Sequence, residues 1–281
     1  MSVSELAEKG RCGRPVNHND LLVRTASAAV LLAVALGAAY FGGIAAGIVA
    51  AIFALVIHFE WASITGAAVA RTAPFAGAVA VAIVVAGAGM VLVAIIIAIL
   101  AAIAAAAFSR EPWLPGGVVY AAAFGISLLA IRVSSEFGFG ALVFVLAVVW
   151  ATDSGAFFAG RSIGGPKLSP RISPKKTWAG AVGGLVAAIV VGLVAARVAG
   201  VPATGELVFV AVVLSVFCQA GDLFESFVKR RFGAKDSGSI IPGHGGIMDR
   251  VDGLIFSAAA AVVIGAAHGG TNGIGRGIMV W

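Results

Sequence analysis

The chain has 281 residues, of which 60% are hydrophobic and 11% are charged, and its mean hydropathy is +1.06. Soluble domains carry about 25% charged residues, so this composition excludes an ordinary soluble protein. The net charge of +6 is not gathered in a polar domain, which excludes a nucleic-acid-binding module. The two cysteines follow no metal or disulfide pattern, and we interpret both as bystanders.

Apolar runs of about 15 to 20 residues recur along the chain, each close to the length that crosses a ~30 Å hydrocarbon core as a helix. The runs are continuous and do not alternate with polar residues, which favours helices over a β-barrel. We therefore predict an all-α, polytopic integral membrane protein with nine transmembrane helices. The predicted spans are residues 26–41, 43–59, 74–87, 89–108, 117–132, 138–154, 178–198, 204–220 and 253–268.

The apolar run from Pro74 to Phe108 decides the number of spans. As a single helix its 35 residues would be about 52 Å long, too long for a bilayer, so we predict a turn at residues 87–89. With nine helices and a cytoplasmic N-terminus, 16 of the 19 Lys and Arg residues face the cytoplasm, as the positive-inside rule expects. The first run resembles a secretory signal, but the many spans behind it favour an uncleaved helix.

This topology predicts a multi-pass protein of the cell (inner or plasma) membrane. Residues 1–25 are expected to form a cytoplasmic tail, and residues 26–281 a single transmembrane catalytic domain. Its polar segments, within residues 150–253, are expected to form a site that faces the cytoplasm.

Charged side chains are concentrated at 222–252, in a chain that is otherwise apolar. In a helix, Asp222, Ser226 and Lys229 share one face, and Asp249 and Asp252 share the first turns of the last helix. Carboxylates from two helices form a hard-oxygen site that suits Mg²⁺. The alternative is an interfacial network of ion pairs with neighbouring arginines.

Two further segments suggest anion binding. The turn-forming sequence Pro242 to Gly246 places glycine amides and His244 beside basic residues, but a glycine-rich loop alone is a weak signal. Ser173 is predicted to cap a helix whose first turn contains Lys175 and Lys176, a position that favours a bound anion or lipid headgroup. By contrast, Glu60 beside a tryptophan is typical of an ordinary interfacial residue.

The stretch 226–252 resembles the signature of the phosphatidate cytidylyltransferases, also called CDP-diacylglycerol synthases: S-x-x-K-R-x4-K-D-x-G/S-x2-hydrophobic-P-x-H-G-G-x2-D-R-x-D. Every fixed position of the signature is present in this chain. These are Ser226, Lys229, Arg230, Lys235, Asp236, Gly238, Ile241, Pro242, His244, Gly245, Gly246, Asp249, Arg250 and Asp252. The pair Gly221-Asp222 and the stretch from Asp153 to Gly180 are also similar to the family, whereas the N-terminal half matches only in being polytopic.

The resemblance implies a reaction of CTP with phosphatidic acid that gives CDP-diacylglycerol and pyrophosphate, with Mg²⁺ as the cofactor, alone or with a second cation. It implies a cation centre at Asp222 and Asp249, with further ligands at Asp153, Asp236 and Asp252. Catalytic groups that neutralise phosphates would be Lys229, Arg230, Lys235, His244 and Arg250. Substrate-binding groups would be Lys175, Lys176, Ser226, Gly245 and Gly246.

Two other functions have to be weighed against this one. A CTP-dependent lipid-alcohol kinase would share the architecture but release CDP. A transporter usually places its ionisable groups near the bilayer midplane, whereas here they gather at the span ends. Glycine-rich faces in the first spans would also permit a homodimer within the membrane lipids.

Overall fold

Long helices that run back and forth in one bundle dominate the computed structural model, which describes residues 30, 33–238 and 245–281. A helical stretch at 33–41 is followed by α1 (Gly43–Thr65), α2 (Val69–Gly87), α3 (Val91–Phe108), α4 (Leu114–Arg132) and α5 (Gly138–Ser162). The remaining elements are β1 (Lys167–Ser169), β2 (Ser173–Thr177), α6 (Trp178–Val198), α7 (Gly205–Arg231), α8 (Met248–Gly269) and the short α9 (Ile274–Met279).

The helices α1 to α8 are each long and apolar enough to cross a membrane, which confirms the predicted polytopic all-α class. The predicted turn is also confirmed, because α2 ends at Gly87 and α3 begins at Val91, with Gly89 at a φ of 90° between them. The start of the first predicted span and the tail at 1–25 lie outside the described residues. Several helices are longer than predicted, and the largest extensions are those of α5, which continues to Ser162, and of α7, which continues to Arg231.

A small β-hairpin corrects one prediction. Ser173 does not cap a helix, because it opens β2, which pairs antiparallel with β1 through Ser169. The backbone stays extended to Thr177 (φ −122°, ψ 157°), whose Oγ1 accepts a hydrogen bond from the N–H of Gly180 at 3.1 Å. Thr177 is therefore the N-cap of α6. Lys175 and Lys176 lie on the strand that leads to this helix, before its first turn.

Glycines hold α5 and α6 in backbone contact. A Cβ added at Gly184 would lie 2.7 Å from the carbonyl oxygen of Thr152, and one at Gly155 would lie 2.8 Å from that of Gly183. Small residues allow such close approach of helices in membranes. The hairpin joins these two helices, so it lies at one end of the bundle, next to the C-terminal end of α5.

The N-terminal helices pack in the same way. A Cβ at Gly47 of α1 would lie 3.3 Å from the Cα of Gly87 in α2, and Trp61 Nε1 donates to the carbonyl oxygen of Trp113 at 2.9 Å. Gly47 is thus used for packing inside one copy of the chain. The homodimer remains a prediction.

The contact between α5 and α6 leads to a stability prediction. Gly184→Ala should force the two backbones apart and lower the free energy of unfolding by about 1–3 kcal/mol. Thermal unfolding in detergent, followed by tryptophan fluorescence, should show a midpoint several degrees lower than that of the wild type.

The matched control for this variant is Gly77→Ala, because a Cβ at Gly77 of α2 meets no atom within 4 Å. Its midpoint should be unchanged or slightly higher, since alanine favours helices more than glycine. Equal midpoints for the two variants would contradict the close contact.

Candidate functional site

One end of the bundle contains most of the charge. Here α5 and α7 end, α6 and α8 begin, and the hairpin and the described residues of the 232–247 connection (232–238 and 245–247) lie between them. All described Lys and Arg residues lie at this end except Arg132, Arg197 and Arg276. We call it the polar end of the bundle.

Three carboxylates from three helices lie near one lysine at the polar end, and one of them is in direct contact with it. Lys176 Nζ forms an ion pair with Asp222 of α7. Asp153 of α5 and Asp252 of α8 both interact electrostatically with Asp222 and with Lys176. We call these four residues the Lys176 cluster. Its acidic residues outnumber its basic one by three to one, which favours a cation as a further component.

Close packing of α7 against α8 brings two of these carboxylates together. A Cβ at Gly221 would lie 2.5 Å from the carbonyl oxygen of Asp252, and one at Gly253 would lie 3.1 Å from that of Cys218. The glycine next to each aspartate therefore sets the distance between the helices. The prediction that Cys218 is a bystander is wrong, because its buried thiol donates a hydrogen bond to Asp153 Oδ1 at 3.6 Å.

A second group of charges, which we call the Lys229 cluster, joins α7 to α8. Lys229 Nζ lies 2.8 Å from Glu225 Oε2 and 2.8 Å from Asp249 Oδ1. Asp249 also accepts from the backbone N–H groups of Ser237 (3.1 Å to Oδ2) and Gly246 (3.2 Å). Glu225 is 1% exposed, and its Oε1 has no hydrogen-bond partner among the described residues.

The two clusters bear on the predicted cation centre. Asp222 and Asp249 were both predicted as its core, yet Asp222 pairs with Lys176 and Asp249 with Lys229. In the described part of the chain, no three acidic, His or Cys side chains lie close enough together to form a preformed metal site. Any cation would therefore need ligand atoms from a substrate as well.

Sequence reasoning missed Glu60, which is 3% exposed at the polar end of α1. Its Oε1 accepts from the N–H of Ile247 at 3.0 Å, and its Oε2 accepts from the N–H of Met248 at 2.7 Å and from Ser237 Oγ at 3.2 Å. The signal was present in the sequence. Glu60 has no Lys or Arg three or four residues away, so a buried carboxylate here needed a distant partner.

The two glycines that were predicted to bind substrate have a packing role. Gly245 has a φ of 84°, in the left-handed region that favours glycine. A Cβ at Gly246 would lie 2.8 Å from Glu60 Oε1 and overlap Ser237 Oγ. Gly245 is thus needed for its backbone conformation and Gly246 for the close approach to Glu60, and substrate binding by them stays a prediction.

The other predicted residues lie around this centre. His244 lies outside the described residues, and Ser226 is half-buried on α7. Of the predicted site residues, five charged ones are exposed at the polar end, namely Lys175, Arg230, Lys235, Asp236 and Arg250. Asp236 is therefore on the surface and is not brought to either cluster by a described contact.

An apolar groove of about 700 Å³ opens beside the clusters between α4, α7 and α8. Its polar end is formed by Trp61, Tyr120 and Phe224, the last of which adjoins Glu225. The lining continues along α7 to Val213, about 16 Å further into the bundle. The groove could take a hydrocarbon chain whose headgroup lies at the polar end.

The Lys229 cluster leads to a second stability prediction. Lys229→Met should lower the free energy of unfolding by about 3–5 kcal/mol, because it leaves the carboxylates of Glu225 and Asp249 buried without their cation. The control is Arg71→Met, which breaks an exposed pair with Glu111 and should cost at most about 1 kcal/mol. Unfolding in a denaturing detergent measures both, and equal losses would contradict the assignment of Lys229.

Comparison with known proteins gives a consistent result. The model of the cytidylyltransferase family matches residues 22–267. A phosphatidate cytidylyltransferase of Brucella suis is 48% identical over 158 residues, which are 56% of this chain and 58% of the relative. Proteins of the same name from Bacillus subtilis and Haemophilus influenzae are 46% and 41% identical over 46% and 40% of this chain, and over 48% and 41% of their own lengths.

The alignments thus cover about half of each relative's length. The family model, however, covers most of this chain, including both clusters and Glu60. The resemblance inferred from the signature is confirmed, and the chain belongs to the cytidylyltransferase family.

Proposed function

We propose that this protein transfers a cytidylyl group from CTP to phosphatidic acid and releases CDP-diacylglycerol and pyrophosphate. The observation that carries the proposal is the Lys176 cluster, where Lys176 pairs with Asp222 and interacts electrostatically with two further carboxylates beside an apolar groove. This arrangement can hold a metal-bound polyphosphate next to a lipid. The names of the related bacterial proteins supply the nucleotide and the lipid.

The chemistry requires no protein nucleophile. A phosphate oxygen of phosphatidic acid forms a bond to the α-phosphorus of CTP, and the bond from this phosphorus to the bridging oxygen of pyrophosphate breaks. Such transfers depend on positioning of the reacting groups and on neutralisation of charge. The residues of the two clusters suit this role because they present fixed charges at the polar end.

We place Mg²⁺, alone or with a second cation, at the Lys176 cluster. Mg²⁺ in proteins is commonly held by one or two carboxylates together with substrate phosphates. Asp153, Asp222 and Asp252 would supply the carboxylates, and the phosphates of CTP would complete the ligand set. When bound, the cation would neutralise negative charge on the phosphates.

Basic side chains would bind the remaining phosphate charge. Lys176 pairs with Asp222 in the described structure and would turn to a phosphate when a cation takes over that carboxylate. The exposed Lys175, Arg230, Lys235 and Arg250 lie at the same end. Their concentration there supports a cytoplasmic orientation of the polar end, in a cell membrane, by the positive-inside rule.

The apolar groove would take an acyl chain of the lipid. Its polar end lies beside Glu225, so a lipid in the groove would present its phosphate towards the clusters. The groove opens along the membrane-spanning part of the bundle, where phosphatidic acid would enter sideways from the bilayer. This placement also disfavours transport, because the charged groups lie at the bundle end and not at its middle.

The direct test is an assay of purified protein in detergent with CTP, Mg²⁺ and phosphatidic acid. We expect release of one pyrophosphate per CDP-diacylglycerol formed. Release of CDP with a lipid alcohol as acceptor would instead indicate a kinase. A folded protein that forms neither product would contradict the proposal.

Asp222 should be the most sensitive carboxylate of the Lys176 cluster. Asp222→Asn keeps the shape of the side chain but removes the charge that binds the cation, so we expect at least a 100-fold loss of turnover at saturating Mg²⁺. Glu136→Gln is the control, because Glu136 pairs with Arg276 at the opposite end of the bundle. Wild-type turnover by Asp222→Asn would remove this residue from the cation site.

The two neighbouring lysines of β2 allow a matched comparison. Lys176→Gln should raise the Michaelis constant for CTP about tenfold or more, because Lys176 lies inside the cluster. Lys175→Gln should change it less, about threefold at most, since Lys175 is exposed to solvent. Steady-state kinetics with CTP as the varied substrate measures both, and a larger effect at Lys175 would refute this ranking.

A further inference from the structure

We infer that Glu60 is a positioning residue, which holds the N-terminus of α8 from α1 and thereby places Asp249 and Asp252 for the reaction. The inference extends the proposed function to the N-terminal half of the chain, where the signature has no residues. For the reaction it rests on that proposed function, but the contacts of Glu60 can be tested independently of catalysis.

The contacts of Glu60 replace a missing helix cap. The first N–H groups of a helix have no partner within the helix, and a side chain just before it usually accepts from them. At α8 this position is occupied by Ile247, which has no side-chain acceptor. Glu60 instead accepts from Ile247 N and Met248 N, with one oxygen for each.

Burial makes this contact a strong one. Glu60 is 3% exposed, and within the described part of the chain no Lys or Arg pairs with it. A buried carboxylate is costly unless donors compensate its charge. The positive end of the α8 dipole and two backbone N–H groups provide that compensation. The helix terminus and the carboxylate therefore stabilise each other.

Two glycines of the described chain, Gly238 and Gly246, leave space for the Glu60 carboxylate. A Cβ at Gly238 or at Gly246 would lie 2.8 Å from Glu60 Oε1, so a side chain at either position would push the carboxylate away. Both glycines therefore adjoin the same carboxylate, although seven residues separate them in the sequence.

Ser237 connects Glu60 to the Lys229 cluster. Its hydroxyl donates to Glu60 Oε2 at 3.2 Å, while its backbone N–H donates to Asp249 Oδ2 at 3.1 Å. Asp249 in turn contacts Lys229. A displacement at Glu60 would thus reach Asp249 through Ser237, and Asp252 through the first turn of α8.

The test compares Glu60→Gln with Glu111→Gln by hydrogen exchange and by kinetics. Glutamine keeps the shape of the side chain, but its NH2 group replaces one of the two acceptor oxygens. This donor would then face the N–H donor of the backbone. Amides in the peptides that contain Ser237, Ile247 and Met248 should exchange about tenfold faster or more, while peptides of α5 and α6 should not change. The Mg²⁺ concentration for half-maximal activity should rise at least fivefold.

Glu111→Gln is the matched control, because Glu111 lies at the same end and pairs only with the exposed Arg71 in the described contacts of its side chain. Exchange and activity should stay within about twofold of the wild type. Glu60→Asp keeps the charge but is shorter by one methylene, so it should restore part of the protection and part of the activity.

Each outcome decides the inference. Unchanged exchange at Ile247 and Met248 in Glu60→Gln would overturn it, and so would faster exchange with an unaltered Mg²⁺ dependence. If Glu60→Gln does not fold, Ser237→Ala removes the hydroxyl contact alone, and unchanged exchange in the peptide containing residue 237 would overturn it instead. An inactive wild type with the expected exchange pattern would refute the proposed function and leave the capping role standing.

Discussion

Compensation of buried and half-buried carboxylates by donors from other elements of the fold is the constraint on which this structure depends. In a membrane, polar groups cannot rely on water, so each must find its partner within the protein. Glu60 finds the N-terminus of α8, Asp222 finds Lys176, and Asp249 finds Lys229. Each contact joins two different elements of the fold. Together they link α1, the hairpin, α7 and α8 at one end of the bundle.

Glycines make these contacts geometrically feasible. Gly184 brings α6 against α5, and Gly221 brings α7 against α8. The charged residues at the polar end of these helices therefore come within reach of one another. The apolar groove lies next to the α7–α8 contact, between α4, α7 and α8, with Tyr120 and Phe224 in its lining. A site for a charged nucleotide and a site for a hydrocarbon chain can therefore adjoin, which is what a nucleotide–lipid transfer requires.

Much of this could be predicted from the sequence, because hydropathy and the signature are local signals. The spans, the turn before Val91 and the helical placement of Asp222 and Asp249 follow from them. The strand at Lys175 and Lys176 could not be predicted, since Ser173-Pro174 fits a helix start equally well and only the pairing with β1 decides. Glu60 and its partner Ile247 are 187 residues apart in the sequence, and Cys218 and its partner Asp153 are 65 residues apart. No local sequence pattern can predict such contacts.

The central claim is that the α-phosphorus of CTP passes to the lipid at the polar end of the bundle. The fate of a ³²P label tests it most directly, with purified protein, phosphatidic acid, Mg²⁺ and CTP labelled at either the α or the γ phosphate. The account predicts that the α label enters the lipid fraction and that the γ label appears in pyrophosphate. Transfer of the γ label to lipid, or no transfer by folded protein, would contradict it.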